Sequence, residues 1–237
     1  MSTETADSHC KPIIYQLLPR LFTNYCEALT VGGSIEKNGS GKLNDINPTI
    51  LRAIKDLGAT HVWYTGVIEH AHDADYTSFG IRRQNPHIVK GKAGSPYAIC
   101  DYYDIDPDLA VDVPERMAEF EALVERTHKA GLKVIIDFVP NHVARQYHSD
   151  AKPNGIEDFG QADNHEMFFA PGNNFYYMTR QQFAPHIDLG SGSDAYVEFP
   201  AKASGNDCFT AFPGVNDWYE TVKLNYGVDY GDGSRHF

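Results

Sequence analysis

Cysteine is scarce in this chain, with four residues among 237. Cys10, Cys26, Cys100 and Cys208 have no zinc-binding spacing, and they are too few to build a disulfide-based scaffold of this length. These absences argue against a zinc finger and against a small disulfide-rich secreted domain. We therefore expect free thiols in a reducing compartment.

Basic residues and long apolar runs are also scarce. Lysine and arginine total 20 against 32 acidic residues, which gives a formal net charge of -12. A nucleic-acid surface would need clustered Lys and Arg, so a neutral or cationic ligand is expected instead. No apolar stretch reaches the roughly 20 residues of a membrane span, and residues 1–10 have no basic start followed by an apolar region. The sequence thus predicts neither an anchor nor a signal peptide, and a cytoplasmic location.

What the sequence does contain is an alternation of strand and helix patterns, with 42% hydrophobic residues to form a core. Residues 12–18, 60–67 and 132–139 predict strands, and residues 47–58 and 112–131 predict helices. Their order is β-α-β-α-β, which favours a parallel sheet with right-handed crossovers. The third strand is apolar on both faces apart from one aspartate, as in a strand covered on both sides.

Local signals mark where the two helices begin. Asn47 and Pro48 predict the N-cap and first residue of the first helix. Asp112 and Glu115 resemble a capping box at the start of the second. Beyond residue 142 the composition changes to Gly, Asn, Asp and aromatics without long periodicity, which predicts a small irregular subdomain.

The third predicted strand ends in three residues with ligand chemistry. Asp137, Asn141 and His142 lie within six positions at the end of that strand. Parallel sheets and barrels place their ligand-binding groups at the carboxyl ends of their strands. The chain is therefore predicted to be part of an enzyme.

Four segments carry a family resemblance. In their order and spacing, these segments resemble the α-amylase family of glycoside hydrolases, family 13. They are residues 12–22, 57–63, 95–103 and 137–142. Residues 216–227 are similar to the end of the inserted domain B of that family. The resemblance implies an α/β fold, a (β/α)8 TIM barrel in which domain B follows the third strand.

A complete barrel needs roughly 250 residues before insertions. The resemblance therefore implies a partial barrel, with its first three strands in residues 1–142, domain B in residues 143–237 and the remainder absent from this chain. It also implies a retaining mechanism with two carboxylates roughly 5 Å apart. The nucleophile and the acid/base residue are expected beyond Phe237, so the chain alone is expected to be inactive.

The resemblance assigns roles to five residues. Tyr97 corresponds to the aromatic platform under the reacting sugar, and His142 to a histidine that contacts that sugar. Asp137 is implied to order the active-site network, and Asp101 to extend the same wall. Asn141 corresponds to a calcium ligand, so Ca2+ is a possible cofactor. Each has a structural alternative: packing for Tyr97, a solvated loop position for His142, an ion pair for Asp137 and a turn for Asn141.

The implied substrate is an α-glucan or maltooligosaccharide. The motifs leave open whether it is starch, glycogen, a short oligosaccharide, sucrose or trehalose, and whether hydrolysis or transfer results. We assign the remaining aromatics of the motif segments to packing, because apolar aromatics near strands usually pack. They are Trp63, Phe138, Trp218 and Tyr219.

Two other functions remain open. His70 and His72 follow the second predicted strand, and a pair of histidines one residue apart begins the zinc site of amidohydrolase-type metal barrels. In the glycosidase interpretation these histidines are loop residues that line the sugar cleft. The third possibility is a carbohydrate-binding fragment without catalysis.

Overall fold

Short strands and helices succeed one another along residues 11–236, which the computed structural model describes. The strands are β1 (Ile14–Leu17), β2 (His61–Tyr64), β3 (Ile68–His70), β4 (Ile99–Ile105), β5 (Lys133–Ile136), β6 (His142–Ala144), β7 (Tyr177–Met178), β8 (Ala201–Lys202) and β9 (Thr221–Lys223). The helices are α1 (Pro19–Phe22), α2 (Ile35–Asn38), α3 (Pro48–Asp56) and α4 (Arg116–Lys129). The predictions made on residues 1–10, including Cys10, lie outside the described residues.

A parallel three-stranded sheet forms the framework, in the order β1-β2-β5. Trp63 of the central strand pairs with Gln16 on one side and with Ile135 on the other. The three strands fall inside the three predicted ranges, and each is shorter than predicted. Helix α3 connects β1 to β2, and α4 lies between β2 and β5, as the alternation predicted.

The start of α3 is confirmed. The Asn47 side chain accepts hydrogen bonds from the backbone N–H groups of Thr49 and Ile50, at 3.0 and 3.1 Å. These bonds satisfy donors that the first turn of a helix cannot satisfy itself. Leu51 and Ile54 of this helix are buried in the main apolar core.

The predicted capping box of α4 is wrong. Asp112 makes no side-chain cap bond, and Glu115 belongs to a single 3-10 turn before the helix. The Glu119 carboxylate takes over this role by accepting from the backbone N–H groups of Val111 and Asp112, at 2.8 to 3.0 Å. The 3-10 turn moves the start of the helix along the chain. Glu119, one turn further on than Glu115, therefore accepts the hydrogen bonds from the backbone N–H groups before the helix.

The third strand of the sheet is less covered than its apolar sequence predicted. Lys133 and Ile136 are exposed, and Phe138, which we assigned to packing, is 71% exposed. Among the described strands β5 pairs only with β2, so its other edge has no neighbour. The expectation of a strand covered on both sides is therefore wrong for this part of the chain.

An antiparallel pair between β2 and α4 is an element that periodicity did not predict. Strands β3 and β4 pair with two shifts of register. The third segment of the family resemblance, residues 95–103, is therefore a loop only up to residue 98. From Ile99 it forms part of strand β4. This pair carries a group of buried acidic and imidazole side chains beside the main core.

The irregular region has small sheets of its own. β6 pairs antiparallel with β9, and β7 pairs antiparallel with β8. A second apolar cluster lies here, formed mainly by aromatic residues and alanines between Phe168 and Tyr219, with Ile88 joining from outside the region. The predicted boundary after residue 142 falls within β6 and stays a prediction. None of the described helices is long and apolar enough to cross a membrane.

Candidate functional site

A cavity of about 350 Å3 lies where the end of the β6–β9 pair meets the loop before β4. Two of the five predicted site residues, Tyr97 and His142, line it. Its other walls come from residues distant in sequence. The lining residues are Lys90, Ser95, Tyr97, His142, Trp218, Glu220 and Thr221.

His142 is buried at the base of this cavity, with 5% of its surface exposed. Its position as the first residue of β6 fixes its backbone through pairing with β9. Burial lowers the pKa of His142 below its ordinary value, so the imidazole is neutral at neutral pH. The Nδ1 atom has no hydrogen-bond partner within the described residues. Nδ1 is itself buried, and a residue this buried does not fit the solvated-loop alternative.

Tyr97 is 45% exposed and lies at the border between two depressions. One is the cavity that contains His142. The other, of about 380 Å3, is lined by apolar residues of the parallel sheet together with Asp137. The tyrosine ring is therefore the side chain that the two depressions share.

Asp137 is buried at the floor of the second depression. Its Oδ1 atom accepts a hydrogen bond from the indole N–H of Trp63, and its Oδ2 atom has no partner in the described structure. No cationic side chain pairs with it among residues 11–236, so the ion-pair alternative is not observed there. Trp63, which we assigned to packing, is half-buried, lines this depression and orients this carboxylate.

Asp101 is fully buried and does not line either depression. Its carboxylate accepts from three backbone N–H groups, those of Tyr103 at 2.8 Å, Asp150 at 2.9 Å and Ala151 at 3.2 Å. These bonds attach the strand β4 to the chain that follows β6. The structure therefore gives Asp101 a backbone-anchoring position and not a place in the wall of the cavity.

Asn141 is exposed beside His142. Its carbonyl oxygen accepts from the Leu224 N–H at 3.1 Å, while its side chain makes no hydrogen bond to the described residues. A free carboxamide oxygen suits a hard cation such as Ca2+. The described residues hold two clusters of three potential ligands each, and neither includes a neighbour of Asn141 between residues 137 and 145.

Trp218 and Glu220 are site residues that the sequence reasoning missed. Trp218, assigned to packing, is 45% exposed and lines the cavity, whereas Tyr219 is buried in the second apolar cluster as predicted. Burial raises the pKa of Glu220, and its Oε2 atom accepts from the Lys90 N–H at 2.7 Å. The available signal was the aromatic pair Trp218 and Tyr219 between two acidic residues in the segment 216–227.

His70 and His72 are not the cleft residues that we predicted. Both are buried, with 2% and 6% of their surfaces exposed, and neither lines the cavity. His70 belongs to strand β3, and its Nδ1 atom lies 2.9 Å from Asp106. The Nε2 atom of His72 lies 3.9 Å from Asp108. The sequence predicted a loop here, but His70 belongs to the separate strand β3, and both histidines lie close to acidic residues after β4.

Comparison with known proteins shows which family this chain resembles. The family model of the alpha amylase catalytic domain matches residues 16–182. Maltase 1 of Drosophila virilis is 28% identical over 151 residues, which are 62% of this chain and 18% of that protein. Trehalose-6-phosphate hydrolase of Bacillus subtilis is 30% identical over 147 residues, 62% of this chain and 20% of that one.

Among solved structures, an alpha-amylase from Lactobacillus plantarum is 30% identical, with 57% of this chain and 24% of that chain covered and a TM-score of 0.39. The chain spans about a fifth of the length of the curated relatives it matches.

Proposed function

This chain belongs to the α-amylase family of glycoside hydrolases, and from that premise we propose that it forms part of the substrate site of a retaining enzyme acting on α-glucans. The observation that carries the proposal is the cavity in which Tyr97, His142 and Trp218 meet. The match over residues 16–182 contains the first two of these residues, and the third comes from the segment beyond it.

The composition of this cavity suits a sugar. A pyranose ring presents apolar C–H faces and a rim of hydroxyl groups. Two half-exposed aromatic rings, Tyr97 and Trp218, supply flat apolar surfaces for such faces. A few convergent polar groups on an apolar lining then fix the orientation of a bound ligand.

The polar groups available for the hydroxyls are His142 and Glu220. The His142 imidazole lines the cavity, and a neutral imidazole can donate from one nitrogen and accept at the other. Glu220 uses Oε2 on a backbone N–H, which leaves Oε1 for a ligand. The names of the relatives, which include a maltase and an oligo-1,6-glucosidase, support an oligosaccharide of α-linked glucose as the substrate class.

For the architecture, we propose that β1, β2 and β5 are the first three strands of a (β/α)8 barrel and that residues 143–237 are domain B. The parallel order, with α3 directly before β2 and α4 directly before β5, supports this assignment. We further propose that the nucleophile and the acid/base residue, roughly 5 Å apart in a retaining enzyme, come from outside these 237 residues. The carboxylates that line the two depressions beside Tyr97 are not together, since Glu220 lines one and Asp137 the other, which supports placing the catalytic pair elsewhere.

The binding part of the proposal is tested by intrinsic fluorescence. The chain has two tryptophans, Trp63 and Trp218, of which Trp218 lines the cavity. Titration with maltoheptaose should change the emission saturably, and Trp218→Phe should remove most of the change while Trp63→Phe retains it. A β-linked glucan of equal length is the control ligand. No saturable change with maltoheptaose, or an equal change with the β-glucan, would contradict the proposal.

The catalytic part is tested by reducing-sugar release from maltooligosaccharides by the purified chain. We expect none above background, because a missing nucleophile and acid/base pair removes most of an enzyme's rate enhancement. Robust turnover would show that the catalytic carboxylates lie within the chain, and Asp137→Asn would then be the first variant to assay.

A further inference from the structure

Two clusters of buried ionisable side chains lie beside the β3–β4 pair, and none of their residues lines the cavity. The first contains Glu69, Asp101 and Asp104. Here the charges are accounted for: Asp101 accepts from backbone N–H groups, and Asp104 pairs with Arg116, whose Nε donates at 2.8 Å. Burial raises the pKa of Glu69 to about 8, so this carboxyl is uncharged at neutral pH. Oε2 of Glu69 has no hydrogen-bond partner in the described structure, but the protonated carboxyl carries no charge, so the first cluster needs no cation.

The second cluster contains His72, Asp106 and Asp108 and is different. One ligand atom from each of the three residues lies within 4.8 Å of the other two. All three residues are more than nine-tenths buried. The Oδ2 atom of Asp108 has no hydrogen-bond partner in the described structure, yet it lies 3.9 Å from Nε2 of His72. A buried carboxylate oxygen without a hydrogen-bond partner lowers the stability of the folded state. A ligand bound between these two atoms would remove that free-energy cost.

Neighbouring groups hold the two carboxylates in place without using that oxygen. The Tyr76 hydroxyl donates to Oδ1 of Asp108, and the Asp108 backbone N–H donates to Oδ1 of Asp106 at 3.0 Å. His70 lies 2.9 Å from Oδ2 of Asp106. The nearby Lys42 ammonium donates to the carbonyl oxygen of Asp108 at 2.7 Å, so it is bound to backbone. Supporting bonds of this kind, which orient a ligand from behind, are characteristic of metal sites.

We propose that His72, Asp106 and Asp108 bind a divalent transition-metal ion, with Zn2+ as the preferred ion. Zinc binds imidazole nitrogen and carboxylate oxygen at about 2.0 to 2.2 Å, so a single ion can bridge two atoms separated by the observed 3.9 Å. The imidazole ligand disfavours Ca2+ and Mg2+, which take oxygen ligands.

The role of this ion is structural. The residues on either side of His72 are tied to the segment that leads to Tyr97, because the Ala71 N–H donates to Ala98 at 2.8 Å and the Asp73 N–H donates to Lys92 at 2.9 Å. The ion would link this loop to the turn after β4. Its ligands are buried and separate from the sugar cavity, unlike an open hydrolytic zinc site built on both histidines.

The test is zinc binding by the purified protein after chelator treatment and dialysis against a low concentration of ZnCl2. Metal analysis should find about one zinc per chain, and Co2+ in its place should give visible absorption bands typical of low-coordinate nitrogen and oxygen ligation. Asp108→Asn and His72→Gln should each weaken zinc binding by well over tenfold, since they remove direct ligands. Asp73→Asn, with the same charge change one position from His72, is the matched control and should bind as the wild type does.

Two results would overturn the proposal: wild-type protein that takes up no zinc under these conditions, or equal zinc affinity in Asp108→Asn and Asp73→Asn. If the ligand variants do not fold, Tyr76→Phe serves instead. It keeps the ring against His72 and removes the hydroxyl that orients Asp108, so zinc affinity should fall by about tenfold. Unchanged affinity in that variant, together with an absent cobalt spectrum in the wild type, would also overturn the site.

Discussion

The indole of Trp218 lies against the imidazole of His142, with ring centroids 5.2 Å apart and ring planes inclined by 56°. The two residues are brought together because β6, which starts at His142, pairs antiparallel with β9, which starts just after Trp218. The cavity that we propose as the sugar site therefore depends on the packing that holds this pair of strands in register.

Arg145, one residue beyond β6, supplies much of that packing. Its guanidinium is fully buried and forms an ion pair with Glu198 at 2.7 Å. It also donates to the carbonyl oxygens of Tyr219 at 2.6 Å and Thr221 at 3.1 Å. We predict that Arg145→Met lowers the free energy of unfolding by about 3 to 5 kcal/mol, because it removes the buried guanidinium and leaves the Glu198 charge with the Lys202 ammonium, at 3.4 Å, as its cationic partner. Urea denaturation measures this loss.

The double variant Arg145→Met/Glu198→Gln distinguishes a lost charge partner from lost packing. Its loss of stability should be smaller than the sum of the two single losses, because the glutamine that replaces Glu198 carries no buried charge. Lys129→Met is the control, since Lys129 pairs with Glu125 at the surface and should cost at most about 1 kcal/mol. A loss for Arg145→Met as small as that of Lys129→Met would contradict the assigned role.

The raised pKa of Glu69 should make the stability of the fold depend on pH. Burial raises its pKa from 4.5 to about 8, so the folded chain holds a proton there that the unfolded chain has released between these values. Stability from this group is thus complete below about pH 4.5 and is lost as pH rises towards 8. Glu69→Gln should raise the melting temperature at pH 8 relative to wild type and change it little at pH 4.5.

The control for this measurement is Glu125→Gln, an equal charge change at an exposed position. Melting curves recorded between pH 4.5 and 8 should diverge for wild type and Glu69→Gln and stay parallel for wild type and the control. Parallel curves for all three proteins would show that Glu69 does not hold a proton in the folded state.

Calcium binding at Asn141 remains a prediction, and it can be separated from the zinc site. If Ca2+ binds the free carboxamide oxygen, adding it to chelator-treated protein should raise the melting temperature. Asn141→Ala should abolish the calcium-dependent shift and keep the zinc-dependent one, and Asp108→Asn should do the reverse. Asn154→Ala, in an exposed loop, is the control. Identical wild-type melting curves with and without Ca2+ would leave Asn141 as a turn residue.

Local signals in the sequence predicted the framework well. Asn47 and Pro48 set the start of α3, and the three apolar runs became the three parallel strands. These features depend on neighbours in the chain, so a pattern of a few residues suffices to predict them. Asp112 failed as a cap because one extra turn, which no local pattern marks, separates it from α4.

The cavity could be predicted only in part. Tyr97 and His142 were identifiable from their motifs, whereas Trp218 and Glu220 join them through the pairing of β6 with β9. That pairing depends on contacts across a region without periodicity. Asp101 shows the converse, since its motif suggested a ligand contact but its oxygens bind backbone N–H groups nearly fifty residues away.

The most direct test of the account is the affinity for maltoheptaose of two matched variants, measured by titration calorimetry. Tyr97 and Tyr103 are equally exposed, at 45% and 44%, but only Tyr97 lines the cavity. We predict that Tyr97→Ala weakens binding by about tenfold to a hundredfold, equivalent to about 1.5 to 3 kcal/mol, with His142→Ala in the same range and Tyr103→Ala unchanged. Equal affinities for Tyr97→Ala and Tyr103→Ala, with both variants folded, would contradict the assignment of this cavity as the α-glucan site.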